Sequence, residues 1–286
     1  MKPNARVSFV VVLCFSSLFA TTVVHAAGVN VNCDRGDTIQ AALKQLTPAG
    51  PNRVNVSGTC KENVKINALD RLLLIANPSA SIVDPSGGVN DPIDIIGSRD
   101  VTVQGFVIKG GDVGIFCVAQ SSCSTMNNKV QGAGFAGIGV YQGSSLTSLG
   151  DTIANNYIGV LVQFGAYFET ETSIIQNNNS FGVEALMNST MRIISAKIMG
   201  NASDGVHIEQ NSSARIGLGP GSPPNAIQNN GGSGVFLGDL SFARFTLENK
   251  ITGNLTQPDV SCGPQFSATR GALVNIGGGS TNCVEP

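Results

Sequence analysis

Four titratable residues, Glu184, Asp204, His207 and Glu209, lie near one another in a chain that otherwise spreads its charges thinly. Carboxylates gathered around an imidazole can give and take protons near neutral pH, because modest environmental changes move both kinds of group across that range. A second pattern is a series at near-constant spacing: Glu169, Arg192, Arg215 and Arg244. Arginine binds a carboxylate through two parallel hydrogen bonds, so arginines at equal steps suit successive acid groups of a polymer. Asp91, Asp94 and Asp112 are a looser set, with the oxygen ligands that calcium takes, but aspartates also serve turns.

Glu184 and His207 meet only if the chain returns to the same place every 23 residues. A repeat of that length is present. Asn, a few polar residues, Gly and a short apolar run recur at Asn155 to Val160, Asn178 to Val183, Asn201 to Val206 and Asn230 to Val235. Weaker copies centre on Gly114 and Gly137, and the steps between the anchor glycines Gly114, Gly137, Gly159, Gly182, Gly205 and Gly234 are 23, 22, 23, 23 and 29. The long step carries a turn-rich insertion, Gly217 to Pro224.

Inside a unit the pattern alternates as in a strand, with Val206 and Ile208 pointing one way and His207 and Glu209 the other. A second strand precedes each Asn, at Ile153, Ile175, Ile198, Ile227 and Ile251. A third follows the anchor, as in Met191 to Ile193 and Ala214 to Ile216. Three short strands per unit predict a triangular coil, stacked on its neighbours at about 4.8 Å. Such stacking sets Glu184 under His207 and Glu209 beside it, which makes these three the catalytic candidates. Tyr141, Arg192, Arg215 and Arg244 are the substrate-binding candidates. Asn155, Asn178, Asn201 and Asn230, each four before its Gly, are expected at a left-handed corner where their amides bond along the axis. The glycine excess, 35 in 286 residues, then reads as a repeated corner residue. A leucine-rich repeat has a similar period but needs L-x-x-L-x-L where these units carry Val, Ile and Gly.

These residues resemble the right-handed parallel β-helix of the pectate-lyase-like superfamily over most of the chain. The resemblance implies an all-β, single-stranded right-handed parallel β-helix of about nine coils with a short N-terminal capping helix. One domain is expected over 27–286, with its N-terminal cap at 33–50 and its C-terminal cap at 256–286. Asp37 is expected to cap the helix, with Gln40 as its capping-box partner. The family's catalytic sets do not carry over. A polygalacturonase calls for G-H-G and R-I-K, and this chain has Asp204-Gly-Val-His207 and Arg192-Ile193-Ile194. A pectate lyase calls for an acidic calcium cluster beside a basic residue, which cannot be assembled here. The expectation is therefore a protein that binds an acidic (uronate) polysaccharide and, as an enzyme, cleaves it as a lyase or hydrolase without a cofactor, calcium being unsupported. The alternative is a non-catalytic structural or adhesive module of the cell envelope or periplasm.

Composition narrows the setting. Lys2 and Arg6, then Val7 to Ala20, then Val24-His25-Ala26, read as a signal peptide over 1–26, hence a secreted or periplasmic protein. Its removal lowers the net charge from −2 to −4, which disfavours nucleic acid as a partner, and no later stretch is long enough to span a membrane. A monomer is expected. Six cysteines remain and allow fifteen pairings, of which the local set Cys33–Cys60, Cys117–Cys123 and Cys262–Cys283 is the simplest. No Trp and only three Tyr leave little stacking surface for a long sugar cleft.

Overall fold

The computed structural model describes residues 27–219, 221–246, 249–263, 268–270 and 276–283. The expected signal peptide and parts of the expected C-terminal cap lie outside them. The chain winds into a right-handed parallel β-helix with three walls. The first wall is a nine-stranded parallel stack running from Val64–Asn67 through Val183–Ala185 and Val206–Ile208 to Val260–Cys262. The second holds Ser122–Met126, Tyr167–Glu171, Thr190–Ile194, Ser213–Ile216 and their neighbours. The third holds the three- and four-residue strands such as Ile174–Gln176 and Lys197–Met199. At the N-terminal end, long strands such as Val101–Lys109 serve both of these walls, pairing with Ser122–Met126 by one half and with Lys129–Gln131 by the other. The turns number about ten rather than nine, and the strands at Ala27–Asn32 and Asn52–Lys61 pair with each other in the sheet of the second and third walls.

The alternation read from the sequence is realised as burial. Val183, Ala185, Val206, Ile208, Val235 and Leu237 are fully buried on the first wall, and Ile175, Ile198 and Ile227 on the third. Each stacked column brings like side chains into contact, so the core is a continuous apolar rod along the axis.

One corner carries a polar ladder through this rod. Asn156 donates from its backbone N and from Nδ2 to Asn178 Oδ1, at 3.0 and 3.2 Å. Asn178 does the same to Asn201, Asn201 to Asn230, and Asn230 to Asn254. Asn254 closes the series on Asp259 Oδ1. The first rung is Asn156 and not Asn155, because that coil is one residue shorter and the Asn lies three before Gly159. Expecting one residue to hold both the corner and the ladder was also incorrect. The left-handed backbone belongs to the preceding residue, Asn155 (φ 57°), Asn177 (φ 53°) or Asn229 (φ 55°). The anchor glycines do not take a left-handed backbone either. A Cβ on Gly205 would lie 2.7 Å from Gly234 O and from Asn230 Nδ2, so glycine is required by the approach of the next coil.

The N-terminal helix is present at Ile39–Leu43 and buries Ile39, Ala42 and Leu43 over the first coil. Its cap differs from expectation. Thr38 accepts from Ala41 N at 3.1 Å, and the Glu62 carboxylate takes the N–H groups of Ile39 and Gln40 at 2.7 and 3.0 Å. A carboxylate from the bend that follows Asn52–Lys61 supplies the negative charge that a helix N-terminus favours, and Asp37 turns back to accept from Asn32 N. The three disulfides are Cys33–Cys60, Cys117–Cys123 and Cys262–Cys283, a pattern suited to an oxidising compartment. Among the described residues no helix is long and apolar enough to cross a membrane.

Replacing Asn201 by Ala strands donors and acceptors on both neighbouring rungs. Unpaired buried polar groups cost about 1–3 kcal/mol each, so Asn201→Ala is expected to lower unfolding stability by about 2–4 kcal/mol in urea titrations. The exposed neighbour Asn179→Ala should stay within about 0.5 kcal/mol.

Candidate functional site

The first wall presents one outward residue per coil in register: Leu161, Glu184, His207, Phe236 and Ser261. This register places Glu184 directly beneath His207. Phe181 and Phe236 enclose the imidazole, with ring centroids 4.3 and 4.8 Å away and the Phe236 pair nearly parallel at 14°. Both ring nitrogens are occupied. Nδ1 lies 2.8 Å from Asp204 Oδ2 and Nε2 lies 3.4 Å from Glu209 Oε1. Asp204 is fixed in turn, because its Oδ1 accepts from Ser233 N at 2.6 Å. Gly238 leaves room for this arrangement, since a Cβ there would come within 2.8 Å of Glu209 Oε1 and 3.0 Å of Phe236.

The electrostatics follow from this geometry. Burial opposes the charged form of His207, but the Asp204 hydrogen bond and the charges of Asp204, Glu209 and Glu184 outweigh it and raise its pKa. Burial also raises the pKa of Glu184, opposed by His207 and assisted by Glu209. The cluster thus joins a carboxyl group whose pKa is raised by burial to an imidazole held between Asp204 and Glu209. His207 has 13 % of its side chain exposed against 30 % for Glu209, so Glu209 is the group with access to a ligand and His207 holds it in place.

The other candidates divide. Tyr141 lies on the same wall, two coils below Glu184, with Phe116 and Phe164 in edge contact at 4.9 and 5.9 Å. Its pKa is pushed up by burial and by the charges of Glu184, Asp112 and Asp91. Arg192, Arg215 and Arg244 are in mutual register but on the second wall, so they do not join the His207 cluster. Asp91 and Asp94 do share a hydrogen bond, and burial together with that bond pushes Asp91 up to about 7. Among the described residues the one group of three close metal-type ligands is Cys33, Cys60 and Glu62, and its two sulfurs are bonded to each other. The sequence reading missed the two phenylalanines. Phe236 occupies the same outward column as His207, and Phe181 precedes the anchor Gly182, so the repeat itself marked both places. With Phe116 and Phe164 they provide the aromatic surface that the scarcity of Trp and Tyr had argued against.

The family model described as "Right handed beta helix region" matches residues 90–283. No curated protein sequence matches the chain. The solved structure of pectate lyase Pel9A is similar at 12 % identity and a TM-score of 0.54, covering 89 % of this chain and 81 % of that one. ORF18 of Geobacillus virus E2 is similar at 13 % identity and a TM-score of 0.53, covering 84 % and 59 %. At such identities the likeness is one of fold.

The raised proton affinities have a signed consequence. A folded-state pKa above the ordinary value means that the folded protein holds its proton longer, so the associated stability is present at lower pH and is lost as pH rises through the folded value. This holds for both Glu184 and His207. Glu184→Gln should therefore match the parent in urea midpoint near about pH 4 and exceed it near about pH 8, where the parent must ionise a half-buried carboxyl. Equal midpoints at both pH values would contradict this assignment.

Proposed function

The chain belongs to the right-handed β-helix family, and from that premise we propose that it is an exported protein that binds and cleaves a polysaccharide along its first wall. The observation that carries the reading is the pairing of two carboxyl groups in unlike settings about one braced imidazole. Glu184 favours its proton and suits a general acid at a glycosidic oxygen. Glu209 faces His207 Nε2 and suits the base that activates water or abstracts a sugar proton. The aromatic rings at Tyr141, Phe164 and Phe236 offer faces for sugar rings. Uronate polymers are the first substrates to test, since the fold is shared with a pectate lyase. The disulfides support an exported setting.

The burial of His207 favours a second reading. With both nitrogens and both ring faces occupied, the cluster also suits a rigid, non-catalytic binding surface.

Incubation with pectate, polygalacturonate and alginate, with and without calcium, separates the two readings. The catalytic reading expects unsaturated or new reducing ends. Glu184→Gln and Glu209→Gln should each lower kcat by about 10²–10⁴-fold while bound substrate is retained. No product from the parent protein on any of these polymers would leave the binding reading.

A further inference from the structure

The arginines on the second wall are absent from the reading above, and their arrangement is unusual for a chain of net negative charge. Arg192 pairs in register with Arg215, and Arg215 with Arg244, on adjacent parallel strands. Like charges set directly opposite each other across strands destabilise a sheet. Among the described residues, a compensating carboxylate is present at the lower end of the column. Glu169 is in register with Arg192, and its Oε2 lies 3.6 Å from Arg192 NH1. Among the described residues neither Arg215 nor Arg244 has a carboxylate within ion-pair distance, and Arg215 NH2 donates to a backbone oxygen, Leu218 O, at 3.2 Å. The Nε atoms of Arg192 and Arg215 are buried and lack a hydrogen-bond partner among the described residues. A buried donor without an acceptor costs free energy that an incoming anion can recover.

We propose that Arg192, Arg215 and Arg244 form a second binding tract, for an acidic polysaccharide whose carboxylates run along the solenoid axis. Three features select that class of ligand. The positive charges recur once per coil, at about 4.8 Å, in the manner of a polymer with one charge per unit. The column is one residue wide: Thr190 and Ile194 flank Arg192 on its strand, and Ser213 and Gly217 flank Arg215. A single file of charge suits a single chain, whereas the two phosphate strands of a duplex would face a broad basic surface. Each guanidinium can engage a carboxylate bidentately, which favours carboxylated sugars over neutral ones. This tract lies on a different wall from His207, so it would tether the protein to an acidic matrix while the first wall acts on a chain of its own. It goes beyond the reading of the first wall and does not depend on catalysis there.

The test is calorimetric titration of the full chain with oligogalacturonate, with its fully methyl-esterified counterpart, and with single-stranded DNA of equal charge. The expected result is binding of the free acid that weakens with salt, little binding of the ester, and weaker binding of DNA. Arg215→Gln and Arg244→Gln should each weaken oligogalacturonate about tenfold and make the salt dependence shallower. Arg244→Lys, which keeps the charge but loses the fork, should fall between. Glu184→Gln should leave this affinity unchanged even where it removes turnover, so the two readings can fail separately. The tract would be overturned by equal affinity for the ester, by tighter binding of DNA, by no binding at all, or by folded arginine variants that bind as the parent does.

Discussion

Each coil of this protein can satisfy its backbone only through the coils above and below it. A strand of three residues has no hydrogen-bonding partner of its own, and a buried amide left unpaired costs as much as many favourable contacts return. Register between coils is therefore the constraint from which the rest follows. It is enforced in two ways. The anchor glycines allow the coils to close to contact, since any side chain there would strike the carbonyl of the next coil. The asparagine ladder then penalises a slip, because its buried amides find partners only when the rungs align. Together they turn a stack of marginal strands into one cooperative rod.

The candidate site is a by-product of that register. Glu184, His207 and Phe236 come from three successive coils, and Asp204 with Glu209 from either side of the strand Val206–Ile208 in one of them. A one-residue slip in either neighbouring coil would send its side chain to the core face. The same register that protects the core also lines up four arginines, Arg192, Arg215, Arg244 and Arg270, on the second wall, where charge opposes stability. The fold thus holds two groups of charged residues in place that would not assemble unaided.

Much of this was legible in the sequence because a period leaves marks at every turn. The steps between Gly159, Gly182 and Gly205 gave the coil, the alternation at Val206 to Glu209 gave the outward faces, and together they predicted that Glu184 and His207 meet. Local cysteine pairs were readable for the same reason. What escaped was detail that depends on one coil differing from the next. The 22-residue step moved the ladder from Asn155 to Asn156, and two adjacent asparagines offered no way to tell corner from rung. The helix cap went to Thr38 and Glu62 because the decisive carboxylate comes from a bend 23 residues further along the chain, which sequence proximity does not suggest. The enclosure of His207 by Phe181 and Phe236 escaped because the repeat gives the column a residue stands in and not the direction its ring turns.

The ladder has a direction as well as a register. Each Asn donates from Nδ2 to the Oδ1 of the next rung toward the C-terminal end, and its Nδ2 also reaches back to a backbone carbonyl of the preceding coil. Asp259 sits at the last rung. Burial opposes its ionisation, yet the Asn254, Ser280 and Gln257 hydrogen bonds outweigh it and keep its pKa low. Asp259 thus accepts the last amide of the ladder through Oδ1 and the backbone N of Ser280, in the segment that follows, through Oδ2. The segment beyond it still pairs onto the stack through Val260 and Thr281, so the amide ladder ends on an acid one turn before the strand pairing does.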